Sequence, residues 1–388
     1  MPPSAPRSRR ASVYVHFPWC LAKCPYCDFV SYAAPRDAID HVGYADAVIR
    51  ELALRARELE LSSPDSPRRF GSVFFGGGTP SLWDPRELGR VLAAIRATVH
   101  CEPDVLTAPY GQTFDLEAVK AALKPEHRVV FLQATETSTA VRHDVEAIAK
   151  LVNQTDALLV VDGISGLGTT HFDVDGWGID VLIGGSQKAV MIPPGLSYLS
   201  VSDKAWAAME TSKNPRYYFD LRKERKNAAK GESAYTPAVA LIAGLGAALD
   251  YIAGQAGGDL EKGRIALVDN AQVNAAATRA GLVALGFTLF APTAPAAAAT
   301  AVAVPEGMNS GDVVKALKTR FALVTANGQG EMQGKIFRVA HLGFFDYLDT
   351  VALLGAMEHI AKDTLGLPVE YGQAVAAAQK VYADAVKK

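Results

Sequence analysis

The chain has 388 residues, 49% of them hydrophobic and 21% charged, and its 39 Lys and Arg against 41 Asp and Glu leave a net charge of −2. That length buries a large core and suggests two or three domains, while the even charge balance argues against nucleic acid or an anionic membrane as an obligate partner. Three of the four cysteines fall between Cys20 and Cys27, which excludes a disulfide framework and points to metal or cluster ligation in a reducing compartment, the cytoplasm.

In chain order, residues 1–11 carry Arg7, Arg9 and Arg10 among Pro and Ser with no apolar core behind them, and read as a disordered tail. Ser12–His16 alternates as a strand leading into the cysteines. Asp37–Leu61 follows as a helix with Val48, Leu52 and Leu59 near one face, and Ser72–Phe75 as a short strand running into Gly76-Gly77-Gly78. The next helix starts with Asp84 as N-cap, Pro85 at the first position and Glu87 completing a capping box, and buries Leu88, Val91, Leu92 and Ile95. Pro103 and Pro109 give Cys101–Tyr110 turn character, and the domain junction belongs there.

Asp115 caps a short helix to Leu123. Val129–Gln133, Ala157–Val161 and Ile179–Ile183 are apolar strands, with a helix over Asp144–Val152, a rhythm that suits a buried parallel sheet. Thr236–Gly254 and Leu260–Leu285 are long helical stretches. Pro292 and Pro295 interrupt the uncharged run Ala280–Pro305, so it is no membrane span. Within it, the Ala-rich Ala291–Val304 reads as a loop. A smaller α/β unit closes the chain, with a strand at Ile336–Ala340 and helices at Phe344–Lys362 and Val369–Lys388.

Cys20, Cys24 and Cys27 have C-x3-C-x2-C spacing, which can hold three irons of a cubane and leave the fourth open for an amine and a carboxylate. A zinc site lacking its fourth ligand and three unconnected thiols are the other readings; Cys101, alone, reads as a small buried hydrophobe. Tyr14-Val-His16-Phe-Pro-Trp-Cys20 through Cys27-Asp-Phe29, then Phe75-Gly76-Gly77-Gly78-Thr79-Pro80-Ser81, resembles the oxygen-independent coproporphyrinogen oxidase and haem-chaperone branch of the radical S-adenosylmethionine family. The resemblance implies a [4Fe–4S] cluster on Cys20, Cys24 and Cys27. It also implies S-adenosylmethionine held by Gly77, Gly78 and Thr79, with Phe29 near the adenine. It stops near Val105, well short of the family's partial barrel.

Val160-Val161-Asp162-Gly163 ends a strand with a carboxylate, and Ile183-Gly184-Gly185-Ser186-Gln187-Lys188 ends another with a lysine. Charged groups at the carboxyl ends of parallel strands lie where open α/β sheets bind ligands. An imine-forming lysine and an aspartate that keeps a pyridine nitrogen protonated need this arrangement. For an arbitrary pair, a turn cap and a solvated lysine would be the expected reading. The flanking residues point elsewhere. Gly184-Gly185-Ser186-Gln187-Lys188-Ala and Pro193-Pro194-Gly195 resemble the class V, fold type I aminotransferases of the alanine/serine–glyoxylate/pyruvate group. So do Glu136-Thr137-Ser138-Thr139, Asp162-Gly163-Ile164-Ser165, Tyr235-Thr236-Pro237 and Phe337-Arg338 through Gly343, in order from about Tyr110 to Lys388.

That resemblance implies pyridoxal 5′-phosphate with Lys188 as Schiff-base lysine and proton shuttle. Asp162 would pair with the pyridine nitrogen, Thr137 would lie beside the ring and Ile164 on its face, and Gln187 would reach the phosphate. Thr236 would serve the phosphate of the other subunit of a homodimer, and Arg338 would grip the substrate α-carboxylate. His127, His143, His171 and His341 read as structural or surface residues. The family's phosphate-cradling Gly-Ser/Thr loop and stacking aromatic have no counterpart here; residues 1–105 stand in their place, and the Gly76–Ser81 loop is a possible substitute cradle.

The expected fold is therefore α/β. A tail over 1–11 precedes radical-type βα units over 12–105. A large cofactor domain with helices on both sheet faces covers 106–258, and a connecting helix with a smaller α/β domain covers 259–388. The expected function is transamination between a small amino acid and a 2-oxo acid. The alternatives are an iron–sulfur, S-adenosylmethionine protein and an inactive hybrid of the two.

Overall fold

Residues 9–21, 31–59, 68–77, 82–99, 104–212 and 219–387 are described by a computed structural model. They fall into two units, Met1–Val105 with Met209–Ala234, and Leu106–Ala208 with Tyr235–Lys388.

In the first unit, β1 (Arg9–Phe17) pairs in parallel with β4 (Arg68–Gly77), ending with His16 opposite Gly76 and Phe17 opposite Gly77. Short strands β2 (Trp19–Cys20) and β3 (Tyr32–Ala33) pair beside them. The tail expected over 1–11 is corrected in its last residues: Arg9–Ala11 extend β1 opposite Arg68–Phe70, because strand pairing needs only the backbone and tolerates charged side chains. Helix α1 (His41–Glu58) starts later than expected, where the Asp40 carboxylate accepts the Gly43 N–H. Helix α2 (Pro85–Val99) starts where expected, and Asp84 Oδ1 accepts the Arg86 N–H at 2.8 Å. The return half of the capping box is replaced. The Asp84 N–H donates to His41 Nδ1, and Glu87 pairs with Arg90. Val15, Phe17, Leu52, Trp83, Val91 and Ile95 form this unit's core, with Phe17 stacked on Trp83 at 5.2 Å.

The second unit opens with α3 (Leu116–Ala122), β5 (Val129–Gln133), a small hairpin of β6 (Thr135–Glu136) and β7 (Val141–Arg142), α4 (Val145–Val152), β8 (Leu158–Asp162), β9 (Val181–Gly185) and β10 (Ser197–Val201). Helices α5 (Asp203–Thr211), α6 (Leu221–Ala228), α7 (Val239–Gly254) and α8 (Leu260–Ala284) follow, α6 lying in the first unit. The closing set is β11 (Thr288–Leu289), β12 (Ala299–Ala303), α9 (Ser310–Phe321), β13 (Ala326–Asn327), β14 (Ile336–Ala340), α10 (Tyr347–His359) and α11 (Gln373–Val386). One sheet runs β10-β9-β8-β5, with β5, β8 and β9 parallel and β10 antiparallel. Leu132, Ala149, Leu159, Val161 and Leu182 are buried in its core. The other sheet, β11-β12-β14-β13, is antiparallel and shares a core with α8, α10 and α11 built on Leu282, Phe337, Leu354 and Met357.

The loop expected over Ala291–Val304 is corrected: its second half is β12, paired with β14 and buried from Ala299 to Val302. A strand covered on both faces shows no alternation, and alanine hides the rest of the signal. Strand β10 was absent from the sequence reading, since Ser197–Val201 follows directly on a Pro-Pro-Gly turn. The helix expected from Phe344 begins at Tyr347, after Gly343 at φ +86° and a capping box between Asp346 and Asp349. The last helix begins after Gly372 at φ +94°. No helix among the described residues is long and apolar enough to cross a membrane.

Candidate active site

Where β5, β8 and β9 end, a cleft of about 380 Å³ opens, lined among others by Gln133, Glu136, Thr137, Asp162 and Ile183. Register explains the grouping: Gln133 lies opposite Asp162, so β5 and β8 stop level, and Asp162 lies opposite Ile183, past which β9 runs two residues further to Gly185. Asp162 is exposed at the end of β8. Its Oδ1 accepts the Ile164 N–H at 2.9 Å, which holds the carboxylate at the strand end. At Gly163 the chain passes close to β9: a Cβ there would lie 2.8 Å from Leu182 Cδ1 and 3.2 Å from the Ile183 carbonyl.

Lys188 is half-buried in the turn that follows β9, the strand next to β8. Gln187 is exposed beside it. A Cβ on Gly185 would lie 2.9 Å from Gln187 Oε1 and 3.5 Å from Ile164 Cγ2, so the glycine leaves room where Gln187 and Ile164 converge.

Thr137 lines the cleft, and its carbonyl accepts Arg338 Nη1 at 2.7 Å. Arg338 projects from β14, and its Nη2 donates to the Asn327 carbonyl at 3.2 Å; Nε is buried without a partner. Burial pushes the Arg338 guanidinium below its usual value, with the Glu136 carboxylate pulling the other way. For Glu136 itself, burial works to raise the pKa. The Ser138 hydroxyl and amide, with Gln133, outweigh that and hold it below the usual carboxylate range. Glu136 had no role in the sequence reading; its position two residues before Ser138, a turn pattern, was the available signal.

Of the expected site residues, Thr137 and Asp162 line the cleft, Ile164, Gln187 and Lys188 lie in the turns after β8 and β9 without lining it, and Arg338 is tied to Thr137. Thr236 is exposed ahead of α7 and does not line the cleft. In the first unit Cys20 is buried at the end of β2, and Gly77 ends β4. Cys24, Cys27, Phe29, Gly78 and Thr79 lie outside the described residues. Among those described, no group of His, Cys, Asp and Glu is placed to hold a metal ion.

A carboxylate ending one parallel strand and a lysine in the turn after its neighbour, with the second sheet's arginine tied to the cleft wall, suit an α/β fold of the fold type I pyridoxal-phosphate transferase kind. Comparison with known proteins gives the family: residues 92–337 match Aminotransferase class-V, and the chain belongs to that family. It is 37% identical to the soluble hydrogenase small subunit of Synechococcus sp. (strain PCC 6716), over 72% of each chain. It is 36% identical to L-aspartate–glyoxylate aminotransferase of Paracoccus denitrificans (strain Pd 1222), covering 66% of this chain and 64% of that one. Among solved structures, pyridoxamine-pyruvate aminotransferase from Mesorhizobium loti superposes with a TM-score of 0.68 at 25% identity, over 89% of this chain and 88% of the other.

Pyridoxal phosphate is the cofactor expected of this family, and the donor set fits it. Asp162 offers a carboxylate of the kind a ring nitrogen would meet, Lys188 an amine of the kind an aldehyde would take, and Gly185 leaves space between Gln187 and Ile164.

Proposed function

We propose that this chain transfers an amino group between a small amino acid of the alanine or serine type and a 2-oxo acid of the glyoxylate or pyruvate type. The observation that carries the reading is the parallel pairing of β8 with β9, which puts Asp162 at the end of one strand, in the cleft, and the Lys188 turn past the end of its neighbour. Relatives named for aspartate–glyoxylate, serine–glyoxylate and pyridoxamine–pyruvate transfer support the acceptor class.

When bound, the cofactor supplies an electron sink for the pair of electrons left at the substrate α-carbon. The chain does the rest. Asp162 would face the pyridine nitrogen and favour its protonated form. Lys188 Nζ would hold the cofactor and serve as the base that takes the proton from the substrate α-carbon. Arg338 fixes the substrate carboxylate, and a planar guanidinium already oriented by two carbonyls loses little freedom in doing so. Thr137 flanks the ring, Ile164 packs on its face and Gln187 serves the phosphate. Thr236 serves the phosphate of a second copy. The dimer is supported by the apolar surface of α7, where Val239, Ile242 and Tyr251 are exposed. Pyridoxal phosphate followed by borohydride should label the Lys188 peptide alone and leave Lys188→Arg unlabelled. Label spread over several lysines would refute the assignment.

A second reading concerns the first unit. Parallel pairing puts the ends of β1 and β4 together, Phe17 opposite Gly77, so the sequences that follow Phe17 and Gly77 start from the same end of the pair. That is the arrangement a cluster-bound S-adenosylmethionine requires. Anaerobic reconstitution should then load iron that Cys24→Ala loses; equal iron in both proteins would remove the cluster.

A further inference from the structure

The turn that carries Lys188 is closed by one side chain. Ser186 is fully buried, at 0% exposure. Its Oγ donates to the Pro193 carbonyl at 2.8 Å and accepts the Leu196 N–H at 3.2 Å. Its own N–H donates to the Leu196 carbonyl at 3.1 Å, and its carbonyl accepts the Ile192 N–H at 3.3 Å. Every polar group of Ser186 therefore bonds across the base of the 187–195 loop. Inside the loop the Met191 N–H donates to the Lys188 carbonyl at 3.0 Å, with Met191 at φ +67°.

The loop is braced from outside as well. Gly195, at φ +145°, sits so close to α7 that a Cβ would meet Leu241 Cδ1 at 2.4 Å. Gly343, at φ +86°, approaches from the far sheet, where a Cβ would lie 3.5 Å from the Lys188 carbonyl and from Met191 Cγ. A non-glycine residue in the left-handed region persists only where its surroundings over-determine it. Here the clasp at the base and the glycines at the flanks do so.

We infer that Ser186 is the positioning residue for Lys188: it fixes the backbone from which the lysine amine reaches the cofactor carbon, and it touches neither cofactor nor substrate. This rests on Lys188 being the cofactor lysine, as proposed above. A 1 Å error in seating a reacting group costs rate out of proportion to the stability lost, so the effect of Ser186 should appear at Lys188 and not in the melting curve alone.

The experiment uses the full chain as parent, Ser186→Ala and Ser186→Cys, the last keeping the volume with a weaker donor and covering the case that the alanine variant does not fold. Hydrogen exchange should show the Ile192 and Leu196 amides opening about tenfold faster or more in the variants, as expected when a buried hydrogen bond is lost, with β8 amides unchanged. Brief exposure to pyridoxal phosphate and borohydride should then move label from the Lys188 peptide to other lysines. Unchanged exchange at Ile192 and Leu196 would overturn the clasp. Faster exchange with label still confined to Lys188 would overturn its role in seating the lysine. A parent that takes no label at Lys188 would instead overturn the proposed function.

Discussion

The two sheets of the larger unit contribute to the cleft in opposite ways. The parallel strands offer residues at or past their ends, Asp162 as the last residue of β8 and Lys188 in the turn after β9. The antiparallel sheet offers a residue from within a strand, Arg338, the middle residue of β14, opposite Ala301 and Ala326. The difference follows from what each group must do. On the roles proposed above, a lysine that exchanges a proton and a carboxylate that faces a ring nitrogen would need room and access at a strand end. A guanidinium stays charged even when burial lowers its pKa, so Arg338 can sit part-buried among alanines and be aimed by the Thr137 and Asn327 carbonyls.

Substitution at the parallel sheet should have the largest effect. Asp162→Asn keeps shape but no longer holds the ring nitrogen protonated, and turnover should fall on the order of a thousandfold or more. Steady-state kinetics with cofactor in excess checks it; a fall under tenfold would mean the carboxylate does not face the ring. At the antiparallel sheet, Arg338→Ala should chiefly raise the KM for the amino acid, by about thirtyfold for a lost paired carboxylate contact. A loss confined to kcat would show that Arg338 acts only by holding Thr137.

The next effect is on stability and separates the sheets by pH. His341, fully buried, has burial and nearby Arg279 pushing its pKa down to about 3, while Nε2 shares a hydrogen bond with Thr300 Oγ1 at 2.9 Å. The imidazole is neutral when folded and ordinary when unfolded. Its contribution is complete above the unfolded value near 6.5 and is lost as pH falls towards 3, by about 1.4 kcal/mol per unit. Denaturant titrations from pH 7 to 4 should show that slope in the parent and a shallower one in His341→Gln. The smallest effect lies in the hairpin that supplies Thr137. Ala140 occupies the left-handed region at φ +57° with its methyl buried against Ala299, Ala301 and Ile336, so Ala140→Gly sets relieved strain against lost burial and should move stability by less than about 1 kcal/mol, read as a nearly unshifted denaturation midpoint.

Much of the parallel sheet was legible because its strands are short apolar runs bounded by caps such as Asp115 and Asp144, whose side chains do accept the expected N–H groups. The antiparallel sheet was half legible. Ile336–Ala340 stood out, but β12 is alanine and threonine buried on both faces, and periodicity has nothing to register there. The candidate site residues stand out by motif order, yet the tie between Arg338 and Thr137 spans 201 positions and rests on a backbone carbonyl. Ser186 was visible only as part of a motif, since the partners that give it work, Pro193 and Leu196, are backbone atoms.

One feature of the parallel sheet reaches past catalysis. Its order leaves β5 at an edge, with Phe131 77% and Val129 38% exposed. An apolar edge strand is a template on which another chain can add hydrogen bonds. Concentrated solutions of this protein should therefore age by edge-to-edge accretion of still-folded molecules, and a lysine placed at Val129 would lengthen shelf life without moving the melting temperature.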